Sequence, residues 1–381
     1  MISIHPPYVF KDAISEIKKT LKRNNVSSYG ETLLNFEKHI QNYTKSKFVK
    51  CCSSGTAALH IALKIAGIKK GEEILVPSIT FIATVNAINY VGAKPIFFGC
   101  DKYLNINTND VKEFLNKKTY LKNGFTYNKD TKKKISGIIP VHIFGNAVNL
   151  EKIISICKKK KIKIIEDATE ALGTKIKIKG KYYHAGTIGD VGCLSFNGNK
   201  IITTGHGGAL MLKNKKDLKK ASYLISQATN DSEKYIHDEV GFNYRFSSLN
   251  SAFGISQIKK IKYILDKKKV INNFYKKEFN KTSQLSILDS PNYAKNNYWL
   301  NLLKFDPKKE KAITNLFKLN NIQIKKVWYP NHLQKPYKNF QKYKIKNLAK
   351  YCRGFICLPS GINLHHSQMK KIINVILKNE K

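Results

Sequence analysis

Short apolar runs recur along the first half of the chain. Glu73-Ile74-Leu75-Val76, Pro95-Ile96-Phe97-Phe98, Gly137-Ile138-Ile139-Pro140-Val141 and Ile162-Lys163-Ile164-Ile165 are continuous rather than alternating, which predicts strands buried on both faces. Between them, Phe81 to Tyr90 and Leu150 to Lys160 carry apolar residues at helical spacing. Strand and helix in alternation predict a mostly parallel sheet covered on both sides. Val191 to Phe196 and Gly208 to Leu212 add two strands, and Ser247 to Asp266 reads as a longer helical region spanning the two domains. From Lys267 onward, short strands such as Tyr298 to Phe305 mix with helices such as Glu310 to Leu319 and Ser367 to Leu377. The expectation is a large α/β domain over residues 1–250 and a smaller C-terminal α+β domain over 251–381, without internal repeats. The segment Lys117 to Lys134, rich in Lys, Tyr, Asn and Gly, reads as an unusually long loop or a solvated hairpin.

Composition narrows the class. With 381 residues, 42% of them hydrophobic, the chain can bury a large core. It has no uninterrupted apolar stretch of about 18 residues, and Met1-Ile2-Ser3-Ile4-His5-Pro6-Pro7 lacks the features of a signal peptide, so a cytoplasmic protein with no membrane partner is expected. Seven cysteines, an odd number without metal-ligand spacing, fit reduced thiols and no metal site. The net charge of +42 points toward a basic nucleic-acid-binding protein, which is the competing reading of another class. Its distribution argues against that reading. Lys132 to Lys134, Lys158 to Lys161, Lys267 to Lys269 and many single lysines suit solvated helix faces, and no recognition motif accompanies them.

Three segments carry candidate chemistry. In Gly192-Cys193-Leu194-Ser195-Phe196-Asn197-Gly198-Asn199-Lys200, a lysine follows a buried-strand pattern and precedes Gly205-His206-Gly207-Gly208. A lysine amine becomes a nucleophile where its surroundings lower its pKa. Upstream, Ile164-Ile165-Glu166-Asp167-Ala168-Thr169-Glu170 places Asp167 at the carboxyl end of a strand, where open α/β sheets bind ligands. In Lys50-Cys51-Cys52-Ser53-Ser54-Gly55-Thr56-Ala57, a strand passes into an apolar helix, and such a helix start favours a phosphate. Each segment also has an ordinary reading: a surface lysine, a turn-forming aspartate and a Ser/Thr helix cap.

In this order the segments resemble the DegT/StrS-type sugar aminotransferases, pyridoxal phosphate enzymes of the aspartate aminotransferase-like fold that act on nucleotide-linked keto-sugars. The resemblance covers nearly the whole chain. It implies that Lys200 bonds covalently to the cofactor, that Asp167 partners the pyridine nitrogen, and that Gly55, Thr56, Ala57 and Ser195 bind its phosphate. Phe81 matches the aromatic that stacks on the ring, although a core phenylalanine is its ordinary reading. Glu170 stands near the ring hydroxyl, where relatives often carry Gln or His, and a carboxylate there has to be protonated or bridged by water. Glu239-Val240-Gly241-Phe242-Asn243-Tyr244-Arg245 is similar to a signature whose asparagine reaches the neighbouring subunit's cofactor, which implies an obligate homodimer.

His206 stands where many relatives have Glu or Gly. The resemblance also implies glutamate as amino donor, with 2-oxoglutarate as its product, and a nucleotide-diphosphate keto-sugar as acceptor. Keeping Lys200 rather than the histidine of the family's dehydratase branch implies transamination. His142, His206, Trp328 and His332 are candidates for substrate contacts, with a packed core residue as the ordinary reading of His142. The long insertion, Ser195 to Lys200, Val327-Trp328-Tyr329-Pro330 and His332 look like the subgroup that aminates C4 of UDP-linked 4-keto-6-deoxy-N-acetylhexosamine toward legionaminic acid. A perosamine-type enzyme for GDP-4-keto-6-deoxymannose and a 3-keto-sugar aminotransferase are the alternatives.

Overall fold

The computed structural model describes residues 1–231, 233–279, 281 and 284–377. Helices α1 (Asp12–Lys22) and α2 (Glu31–Thr44) precede β1 (Phe48–Cys52), which runs into α3 (Gly55–Ile65). Then β2 (Glu73–Pro77), α4 (Ile82–Tyr90), β3 (Lys94–Phe98) and α5 (Thr108–Lys117) alternate as the apolar pattern predicts. A hairpin of β4 (Thr119–Lys122) and β5 (Phe125–Asn128) leads to β6 (Ile135–Ile138), α6 (Glu151–Lys159) and β7 (Lys163–Asp167). Next come β8 (Lys175–Ile178), β9 (Lys181–His184), β10 (Val191–Ser195), β11 (Gly208–Leu212) and α7 (Lys215–Ile225). A small pair, β12 (Thr229–Asp231) and β13 (Ile236–His237), precedes α8 (Ser248–Lys259) and α9 (Ile261–Phe279). The C-terminal part holds β14 (Ser286–Ile287), β15 (Ala294–Lys295), β16 (Asn301–Lys304), α10 (Glu310–Leu319) and β17 (Lys325–Lys326). It ends with β18 (Lys342–Tyr343), α11 (Leu348–Cys352), β19 (Phe355–Leu358) and α12 (His366–Leu377).

The main sheet has the order β1-β11-β10-β7-β6-β2-β3-β18. It is parallel from β10 through β18, while β11 runs antiparallel to both β1 and β10. Strands β2, β10 and β11 are buried at every position, which is why their sequences are apolar apart from Glu73 and Ser195 at strand ends and do not alternate. A second, antiparallel sheet, β14-β16-β19-β17, gives the C-terminal part its α+β character. Two apolar clusters follow from this layout. The larger contains the main sheet, together with Ile255 and Ile258 of α8 and Trp299, Leu302 and Val327 from the C-terminal part. The smaller joins Ile271, Tyr275 and Phe279 of α9 to α10, α12, β19 and Ile2. The division at 250/251 falls inside α8.

Two local expectations are refined. The helical region Ser247 to Asp266 is made of two helices, α8 and α9, separated at Lys260. The insertion Lys117 to Lys134 is a hairpin, with Tyr120 stacked on Tyr127 at 5.8 Å and a two-residue turn at Asn123-Gly124. Both turn residues have positive φ (49° and 73°), the conformation that Asn-Gly turns favour. All seven cysteines are free thiols. Among the described residues no group of His, Cys, Asp and Glu is arranged to hold a metal, and no helix is long and apolar enough to cross a membrane.

Lys268, on α9, ties the parts together. Its buried Nζ donates to the carbonyl oxygens of Trp299 (2.9 Å) and Ser360 (2.5 Å) and contacts His5 Nε2. Burial pulls its pKa well below the ordinary lysine value. Lys268→Ala should leave these three acceptors buried and unsatisfied, which costs on the order of 2–5 kcal/mol. A denaturant titration is expected to show the midpoint falling accordingly with an unchanged slope.

Candidate active site

The carboxyl ends of the parallel strands open into a cavity of about 290 Å³, closed from the other side by Trp299, Lys325 and Trp328. Asp167 is the last residue of β7, and its side chain is buried there. Thr84 Oγ1 donates to Oδ2 at 2.6 Å, and the Thr169 backbone N–H and Oγ1 donate to Oδ1 at 3.1 and 2.7 Å. Three converging donors fix the orientation of this carboxylate.

Lys200 follows β10 on a turn closed by its own N–H to Asn197 O (3.0 Å). Its Nζ lies 3.7 Å from Glu170 Oε1 and 4.3 Å from the centre of the Trp299 ring. Burial lowers the pKa of the amine, and the nearby Glu170 and Asp167 carboxylates only partly oppose that. Burial raises the Glu170 carboxyl, opposed by Lys200 and by the Phe144 N–H, which donates to Oε2 at 2.6 Å. Both partners are therefore displaced toward their neutral forms, as a reactive amine requires and as a carboxyl at this position was expected to be.

Helix α3 supplies the anion-binding corner. Ser54 is its N-cap, and Ser54 Oγ accepts the Ala57 N–H at 3.0 Å. Ala57, expected at the phosphate, thus has its donor occupied and is buried. The N–H groups of Gly55 and Thr56 make no hydrogen bond among the described residues and remain for a ligand. A Cβ on Gly55 would meet Ser195 Cβ at 2.9 Å and Thr169 Cγ2 at 3.2 Å, so only glycine lets the helix start close against the end of β10. Gly55, Thr56 and Ser195 all line the cavity.

Phe81 caps α4 and lines the cavity half-exposed, its ring 5.4 Å from that of Trp328. Trp328 stacks in turn on Phe144 at 5.6 Å, and Phe144 on Trp299 at 6.3 Å, which forms one aromatic wall. His206 lines the cavity between Gly205 and Gly207, which both have positive φ.

Two of the candidates for substrate contacts do not line the cavity. His142 is fully buried, its Nε2 3.0 Å from Glu166 Oε2 and its Nδ1 accepting the Val148 N–H. His332 is a core residue whose Nδ1 bonds Ser78 Oγ at 2.6 Å, beside Phe97. Neither lines this cavity, and each ring is engaged elsewhere, His142 between the Val148 N–H and Glu166 and His332 on Ser78 Oγ. Asn243 is exposed and lies outside this cavity.

Sequence reasoning missed Thr84, Thr169, Trp299 and Lys325. Thr169, two residues after Asp167, follows the Asx-turn spacing and was recoverable. The others arrive from distant segments and carry no local motif.

The residues present fit pyridoxal phosphate: free N–H groups at a glycine-opened helix start for a phosphate, a buried acid for a ring nitrogen, and a desolvated lysine between them. This fold and this cavity define a pyridoxal phosphate-dependent aminotransferase. The chain belongs to the DegT/DnrJ/EryC1/StrS aminotransferase family, whose model matches residues 7–377. It is 30% identical to a GDP-perosamine synthase of Escherichia coli, over 97% of this chain and 95% of that protein. It is 32% identical to a UDP-4-amino-4,6-dideoxy-N-acetyl-beta-L-altrosamine transaminase of Campylobacter jejuni, over 77% of this chain and 74% of that protein. The crystal structure of a DegT DnrJ EryC1 StrS aminotransferase from Brucella abortus superposes with a TM-score of 0.87 at 22% identity, covering 96% of this chain and 95% of that one.

Proposed function

We propose that the enzyme moves the amino group of glutamate to C4 of a UDP-linked 4-keto-6-deoxy-N-acetylhexosamine, for a legionaminic-acid-like cell-surface glycan. In this reading it works in the cytoplasm as a homodimer, with the exposed Asn243 serving the neighbouring active site. The observation that carries the aminotransferase reading is the buried Lys200 amine, held between Glu170 and Trp299 above an anion-binding helix start. The UDP-linked 4-amino sugar in the name of the Campylobacter relative supports the acceptor. The perosamine synthase relative favours GDP-linked 4-keto-6-deoxymannose as the second reading.

Gly55, Thr56 and Ser195 would hold the cofactor's phosphate, Asp167 its ring nitrogen, Phe81 its ring face and Lys200 its aldehyde carbon. Pyridoxal phosphate, when bound, supplies an electron sink for the pair left as the donor's Cα loses a proton. Lys200 Nζ takes that proton and returns it, a task suited to an amine whose pKa is lowered by burial. Thr84 and Thr169 keep Asp167 aimed into the cavity. The wall of Trp299, Phe144 and Trp328 keeps water from the amine on one side. Glu170 Oε1 faces the Lys200 amine at 3.7 Å, its carboxyl displaced toward the neutral form by burial.

Incubation with glutamate and a panel of UDP- and GDP-linked keto-sugars, followed by mass spectrometry, tests the assignment. The expected product is a 4-amino sugar from the UDP-linked hexosamine. Amination of the GDP-linked sugar alone would replace it with the perosamine-type reading, and an absence of any amino sugar would reject both.

A further inference from the structure

Strand β17 consists of two lysines that alternate across the small sheet. Lys326 points outward and pairs with Glu310 at 2.7 Å. Lys325, on the opposite face, is half-buried and lines the active cavity with Lys200, Trp299 and Trp328. Among the described residues its side chain makes no ion pair and no hydrogen bond, while its backbone pairs with Cys357 in the small sheet. It is near enough to Lys200 for its charge to push the Lys200 pKa further down. Both carboxylates of the cavity are engaged elsewhere, Glu170 by Lys200 and the Phe144 N–H and Asp167 by Thr84 and Thr169, so neither is paired with Lys325. A solvated exit is open to Lys326, but the side chain of Lys325 is turned into the site. The missing counter-charge is therefore that of a ligand.

The position selects which anion. A phosphate on the cofactor already has the free N–H groups of Gly55 and Thr56 at the N-terminus of α3. The diphosphate of a nucleotide sugar hangs from C1, across the sugar ring from a carbonyl at C4, and so lies away from the reacting amine. An amino-acid donor, by contrast, carries its α-carboxylate on the very carbon whose proton Lys200 removes. A cation beside Lys200 is where that carboxylate has to lie.

We propose that Lys325 binds the α-carboxylate of the amino donor, so that it governs the donor half of the reaction and not the sugar half. The proposal rests on the transamination reading. It assigns the chain a donor subsite made by the C-terminal part, and it explains why that part carries an inward-facing lysine.

The two half-reactions separate the possibilities. Lys325→Met keeps length and removes charge, and Lys325→Arg keeps charge. With the cofactor-loaded enzyme, Lys325→Met is expected to lower kcat/KM for glutamate by about 10- to 100-fold, the worth of a charge-assisted hydrogen bond. The sugar half-reaction should stay within about twofold, and Lys325→Arg should recover most of the loss. Preference for glutamate over 4-aminobutyrate, which lacks the α-carboxylate, should fall by the same factor. A second readout is independent of turnover. The chain's two tryptophans, Trp299 and Trp328, both line the cavity, so their fluorescence should report 2-oxoglutarate binding that weakens in Lys325→Met.

An unchanged glutamate half-reaction, or an equal loss in both halves, would overturn the proposal. A loss confined to the sugar half would overturn it in favour of a diphosphate contact. A wild-type enzyme that does not react with glutamate at all would sink the transamination reading, and this proposal with it.

Discussion

Lys200→Ala is expected to fold normally and to lose about 10⁴-fold in kcat, the upper end of what one positioned proton-transfer group contributes. The substitution removes the amine that would hold the cofactor and the base that would move the Cα proton. The fold should tolerate it because Lys200 sits on a turn at the rim of the large cluster and is not part of it. Its loss also relieves two local tensions. The amine no longer has to be desolvated, and Glu170 can take up a proton once its cation is gone. Circular dichroism should therefore match the wild type while turnover disappears. Normal turnover by the variant would show that another group does this work.

Asp167→Asn should cost on the order of 10²- to 10³-fold in kcat, the range found when one preorganised electrostatic contact is removed. The geometry allows the isosteric change. Thr84 Oγ1 lies 3.0 Å from Thr80 Oγ1, and Thr80 can donate onward to the Phe81 carbonyl, so the hydroxyl chain can reverse to accept an amide N–H. The oxygen facing Thr169 keeps its donors. Charge is lost without loss of shape, and the effect should therefore appear in kcat and in cofactor affinity, with little change in thermal stability. A variant with unchanged cofactor affinity and rate would remove Asp167 from the site.

Much of the fold was legible because strands buried on both faces must be apolar throughout, and helices between them must show one apolar stripe. The antiparallel β11, inserted between β1 and β10, carries no such local mark, since its composition matches that of its parallel neighbours. The break at Lys260 is also silent, with neither Gly nor Pro beside it. Asn123-Gly124 alone would have decided between the loop and the hairpin readings of the insertion. In the site, Gly55 was visible because it starts a helix, Asp167 because it ends a strand, and Lys200 because it lies between a buried strand and a glycine-rich turn. Trp299, Lys325 and Trp328 come from the C-terminal part, and only tertiary packing brings them over Lys200; of these, only Trp328 was anticipated. His142 and His332 were drawn in by their residue type, yet their rings satisfy buried backbone and side-chain groups. The charge of +42 was the least informative signal for the site, whose chemistry depends on a few buried groups.

The central claim is that the amine of Lys200 bonds covalently to the cofactor. Reducing the cofactor-loaded enzyme with borohydride and mapping its peptides tests this directly. The account requires the stable adduct on the peptide that contains Lys200, and an adduct on another lysine, or on none, would contradict it.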